Sequence, residues 1–70
     1  MKNKIYNKPE INQIIGTGIN EASTHLKKYG YKMRIINKDG TPLMVTHDFD
    51  DKRVNVFVKF GKIDDIDGTG

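Results

Sequence analysis

The chain has 70 residues, 12 basic and nine acidic side chains for a net charge of +3, and no cysteine. That length supports one domain at most, whose small core must hold without a disulfide framework or a zinc knuckle. Residues 1–39 carry eight basic and three acidic residues and residues 40–70 four basic and six acidic; so diffuse a positive charge speaks against nucleic acid as a partner, and no apolar run approaches the roughly 20 residues of a membrane span.

In chain order, residues 1–8 are polar and charged and predict a flexible N-terminus, followed by a single domain over residues 9–70. The basic start Met1-Lys2-Asn3-Lys4 is followed by Asn7, Lys8, Glu10, Asn12 and Gln13, which break any apolar central region of a signal peptide. The chain as given therefore predicts no signal peptide, and a cytoplasmic location unless a precursor segment has been removed. From Pro9 to Gly16, the spacing of Ile11, Ile14 and Ile15 predicts one short helical turn packed on a core. Gly16-Thr17-Gly18 is a break. Ile19, Ala22, Leu26 and Tyr29 then recur every three or four residues, the signature of an amphipathic helix over Ile19 to Tyr29. Thr17 or Gly18 can cap it, Glu21 suits its first turn, and Gly30 suits the left-handed residue just past its end.

Tyr31 to Asn37 reads as a strand with Met33 and Ile35 on one face, and Asn37-Lys38-Asp39-Gly40 as a turn. Arg53 to Phe60 is the clearest strand: Val54, Val56, Val58 and Phe60 on one face, Arg53, Asn55, Phe57 and Lys59 on the other. Gly61 ends it. Ile63 and Ile66 suggest a short edge strand in the acidic tail. The fold class expected is α+β, one helix packed on a small β-sheet. Between the two main strands lies a segment from Thr41 to Lys52, too long for a tight hairpin and without helical period. Its Leu43, Met44, Val45 and Phe49 are unusual in a disordered linker and point to an extended, exposed binding loop. A three-stranded meander, with Leu43 to Thr46 as its middle strand, remains an open alternative.

Catalytic groups are sparse. Ser23 is the only serine, and His25 and His47 the only histidines. Ser23 and His25 stand two apart on a helix and cannot face each other. No nucleophile-elbow sequence surrounds Ser23, so no catalytic residue is assigned and no enzyme is expected. The acids Asp48, Asp50 and Asp51, and again Asp64, Asp65 and Asp67, lack the spacing of a calcium loop, so no metal or other cofactor is expected. Gly16-Thr17-Gly18 lacks the third glycine and the preceding strand of a phosphate-binding turn. Phe57, Lys59, Tyr29 and Tyr31 offer a stacking platform for single-stranded nucleic acid, or else a small apolar cluster behind the sheet.

Val45-Thr46-His47-Asp48-Phe49, three residues, then Arg53-Val54-Asn55-Val56-Phe57-Val58 resembles the reactive-site region of the potato type I serine-protease inhibitors and of their bacterial and fungal relatives. The upstream order agrees: Ile14-Ile15-Gly16, a helix with Glu21-Ala22, a strand, a glycine turn and the loop. The resemblance covers roughly residues 9–68. It implies a serine-protease inhibitor, a monomer and, with no cysteine in the chain, disulfide-free, whose loop 41–52 enters the cleft of a subtilisin-like or chymotrypsin-like protease as a substrate would. It implies His47 as the specificity residue, His47–Asp48 as the scissile bond, Thr46 and Asp48 as its flanks, and Arg53 as the support bonded to both. Three departures stand out. The stretch from Gly40 to Thr46 is about two residues longer than in typical members, which predicts a looser entry. Asn55 replaces a second arginine of many members, as it does in the bacterial relatives, and predicts a weaker loop support. The relatives' cysteines are missing. The reading from a different class is a binding module on the same scaffold that turns the loop to a non-protease partner.

Overall fold

The structure, a computed structural model, describes residues 8–70; the expected flexible N-terminus lies, apart from Lys8, outside the described residues. The fold is α+β, one main helix on a four-stranded mixed sheet.

Helix α1, Pro9–Asn12, is a single turn that starts on a proline, whose missing N–H costs nothing at that place. Ile11 and Ile14 are buried, but Ile15 is 43% exposed. The chain turns away at Gly16, at φ 87°, where its N–H donates to the Ile63 carbonyl and the Thr17 hydroxyl folds back on the Ile14 carbonyl. Two of the three expected isoleucines therefore pack down. Helix α2, Ile19–Lys28, starts on Gly18 and has Glu21 in its first turn, with Ala22 and Leu26 buried. It closes with paired bonds, from the Tyr31 N–H to the Leu26 carbonyl and from Gly30 to Lys27, around the left-handed Gly30 at φ 81°. Tyr29 lies outside the apolar stripe, exposed and tilted over the His25 ring.

Strand β1, Lys32–Lys38, turns through Asp39 and Gly40, both at positive φ, into the two-residue strand β2, Thr41–Pro42. Two such residues match the twist of a tight hairpin. Strand β3, Arg53–Lys59, lies beside β1 and parallel to it, and β4, Lys62–Thr69, pairs antiparallel with β3. The sheet order is β2-β1-β3-β4. The parallel pairing replaces the meander alternative: Leu43 to Thr46 forms no strand. Parallel neighbours also explain the long connection, because the chain must return from the far end of β1 to the near end of β3.

Val54, Val56 and Val58 face α2 with Ile63 and Ile66 of β4, and Met33 and Ile35 pack against this core. Phe60 does not continue that face. It sits in the β3–β4 turn at φ 54°, 85% exposed, its N–H held by the Asp39 carboxylate at 2.8 Å. No helix of the described residues is long and apolar enough to cross a membrane.

Candidate functional site

The segment after β2 is tied to the sheet at intervals. Leu43 N–H donates to the Ile36 carbonyl at 3.0 Å as the loop leaves the hairpin. Beyond it Met44 is 99% exposed, and Val45, His47 and Phe49 also face solvent. At Thr46 and Asp48 the loop is gripped from below.

Arg53, at the start of β3, projects under the loop with 13% of its side chain exposed. Its Nη2 donates to the Asp48 carbonyl at 2.8 Å, its Nη1 to the Asp48 carboxylate at 3.2 Å and its Nε to the Gly70 carbonyl at 3.1 Å. Arg53 is thus bonded to Asp48, and among the described residues its side chain makes no bond to Thr46, where the resemblance implies one to each. That place is taken by Arg34, on the outer side of β1. Its Nη1 donates to the Thr46 carbonyl at 3.2 Å and approaches the Thr46 hydroxyl at 3.4 Å. The same guanidinium donates from Nε to Asn55 Oδ1 at 2.8 Å and from Nη2 to the Gly70 carbonyl at 3.4 Å. Asn55 is buried, 7% exposed, and its amide nitrogen donates to the Gly70 carbonyl at 3.2 Å. The support expected to be weak at Asn55 is therefore shared: β1 supplies a second arginine, and Asn55 orients it.

Above the two arginines the Thr46 hydroxyl donates to the Asp48 carboxylate. That bond first, and the Arg53 guanidinium second, hold the Asp48 carboxyl at about 2, well below the usual carboxylate range. Asp50 is lowered too, by the Lys52 N–H and then by the Lys32 ammonium 3.0 Å away. The Asp50 carbonyl accepts the Arg53 N–H at 3.1 Å, which closes the loop onto β3. The Phe49 ring lies against Gly70, where a Cβ would meet it at 3.7 Å.

The other sequence candidates are scattered. His25 Nε2 donates to the Glu10 carbonyl at 2.8 Å, which ties α2 to α1. Tyr31 is in the core beneath the ammonium groups of Lys8 and Lys52, whereas Phe57 lines a hollow of about 480 Å³ with Asn37, Asp39, Asp64 and Asp65 on the opposite face. The four residues of the stacking platform do not share one surface. Among the described residues no three His, Asp or Glu side chains converge to hold a metal ion.

Two contributors escaped the sequence reading, Arg34 and Gly70. The signal for Arg34 is that it alternates with Met33 and Ile35 and so stands on the face away from the helix; what it meets there depends on the pairing of β1 with β3. No protein-family model, curated protein or solved structure matches the chain.

Proposed function

We propose that the chain is a serine-protease inhibitor rather than an enzyme, and that its loop enters a subtilisin-like or chymotrypsin-like cleft as a substrate would. In this reading His47 fills the specificity pocket, His47–Asp48 is the bond presented for cleavage, and Thr46, Asp48 and Arg53 keep it in place.

One observation supports this reading above the others: an alternation along the loop. The carbonyls of Thr46, Asp48 and Asp50 are held from below. The main-chain groups of Val45, His47 and Phe49, between them, make no hydrogen bond among the described residues, and their side chains are exposed. A segment braced on one edge and unsatisfied on the other is suited to add as a strand to a protease cleft, where main-chain pairing supplies affinity and alternate side chains supply selectivity. Bracing before binding lowers the ordering cost, so an interface of ordinary size binds tightly. It also bears on turnover. When the bond between His47 and Asp48 is cut, the new amine stays tethered beside the acyl group, and resealing competes with release.

The test is incubation with a panel of serine proteases, read by residual protease activity and by mass spectrometry of the chain. Slow, single cutting between His47 and Asp48 with a retained complex is expected. Rapid digestion at many bonds without loss of protease activity rejects the proposal.

A further inference from the structure

We propose that Met44 is a modification site: hydrogen peroxide converts its thioether to the sulfoxide while Met33 stays reduced, and the sulfoxide weakens docking of the loop. The effect on docking rests on the inhibitor reading; the selectivity of the modification does not.

The chain has no cysteine, so methionine carries all of its sulfur chemistry. The two described methionines stand in opposite settings. Met33 lies in β1, half-buried and packed against the core, as Ile19 and Ile35 are. Met44 is 99% exposed, although Leu43 and Val45 on either side of it are only 39% and 38% exposed. Oxidation of methionine follows access to the sulfur, and it turns an apolar side chain into a polar one. Peroxide is the one co-reactant the step needs. A lone pair on Met44 Sδ attacks one peroxide oxygen, and the S–O bond forms as the O–O bond breaks. Sulfur gives up two electrons, and the departing oxygen takes the remaining proton and leaves as water.

Met44 bears on docking through its place in the loop. It precedes His47 by three residues, about 10 Å of extended chain. That is inside the patch of about 800 Å² that each partner buries in an interface of standard size. A thioether on an unbranched stem adapts to an irregular apolar surface. A sulfoxide carries an oxygen that must find a hydrogen-bond donor, and burying it without one is unfavourable. The bonds that hold the loop reach Thr46 and Asp48 and none involves Met44, so its oxidation leaves that bracing in place.

The experiment treats the folded chain with hydrogen peroxide and follows each methionine by peptide mapping and mass spectrometry. The inhibition constant of the chain oxidised at Met44 is then measured against subtilisin and chymotrypsin. Met44 should gain its oxygen first, and Met33 should match its rate only when denaturant unfolds the chain. The oxidised chain should inhibit about tenfold more weakly. Methionine sulfoxide reductases with a thiol reductant should restore the original constant. Met44→Leu should inhibit equally before and after peroxide, which separates Met44 from the other methionines. Equal oxidation of Met33 and Met44 in the folded chain, or an unchanged inhibition constant with Met44 fully oxidised, overturns the proposal. If the untreated chain inhibits no serine protease, the inhibitor reading fails on that measurement and the docking effect falls with it, while the peptide map still decides the modification site.

Discussion

Arg34 and Asn55 stand side by side across the parallel pairing of β1 and β3, and the guanidinium of one is steered by the amide of the other at 2.8 Å. Asparagine at this position does not leave the loop unsupported. The second guanidinium comes from β1, and β3 keeps a short, neutral residue where the space is buried. A guanidinium at Asn55, lying between Arg34 and Arg53, would crowd three cations into one side of the sheet, and like charges at short range repel.

In the proposed inhibitor reading, Arg53→Ala should weaken inhibition by roughly tenfold or more and speed cutting of the loop, because three of its bonds vanish together. Circular dichroism should show the fold retained, since the guanidinium lies at the rim of the sheet and the core is untouched. Inhibition constants and cleavage rates equal to those of wild type would remove the support role.

Val56→Ala and Asn55→Ala separate the core from the loop. Val56 is fully buried facing the helix, so truncation should cost about 1–3 kcal/mol. Sequence pattern alone puts Asn55 on an outer face and predicts a much smaller cost. The structure revises that: Asn55 is buried with both ends of its amide bonded, so its loss should also cost about 1–3 kcal/mol. Only Asn55→Ala should loosen the loop as well. Thermal unfolding gives the first comparison and the rate of loop proteolysis the second.

What the sequence discloses and what it withholds follow from the range of each interaction. Helix α2 and strand β3 are legible because period, caps and terminating glycines are local. Strand β4 is less so: Asp64, Asp65, Asp67 and Gly68 are poor strand formers, and Ile63 and Ile66 are three apart where an even strand needs two. A register shift resolves this, for Val56 pairs with Ile66 and Val58 with Ile63, so one extra residue on β4 lets both isoleucines face the core. Phe60 misleads because a run of alternating apolar residues continues into the turn. The long connection before β3 and the start of that strand at Arg53 are legible through a short run of residues. Arg34 and Gly70 are not, because each reaches the loop only through a strand pairing formed across a long stretch of chain.

Acid should release the clasp late. Asp48 and Asp50 have folded-state pKa values below the ordinary carboxylate value of about 3.9. A lowered pKa means that the charged forms favour the braced loop above pH 4, and that this contribution is lost as pH falls through the folded values, about 2 for Asp48. Loop order should therefore be flat from pH 8 to pH 4 and fall between pH 4 and pH 2. An NMR titration of the Asp48 side-chain carboxyl carbon should show its midpoint near 2, and Asp48→Asn should lose the Asp48 part of the acid transition. A midpoint at the ordinary value would mean that the Thr46 and Arg53 bonds do not form in solution.

In the proposed inhibitor reading, the identity of residue 47 should set the choice of protease. His47 is exposed, makes no hydrogen bond among the described residues, and sits between two braced positions, so a change there alters what the loop offers and not how it is held. Pockets of subtilisin-like and chymotrypsin-like proteases are largely apolar, and an imidazole must shed water to enter one. His47→Leu should tighten binding to such proteases by about 1–3 kcal/mol, the usual worth of a group that fills a hydrophobic pocket. His47→Lys should lose affinity there and gain it against trypsin-like proteases, whose pocket carries a carboxylate that pairs with an ammonium. Neither change should alter thermal stability by more than a few tenths of a kcal/mol, because an exposed side chain without partners contributes little to folding. The measurement is the inhibition constant of wild type and both variants against subtilisin, chymotrypsin and trypsin. Opposite shifts for the two variants place residue 47 in the pocket. If every constant stays within a factor of two, this side chain does not enter a protease pocket, and the reactive bond lies elsewhere or the loop serves another partner.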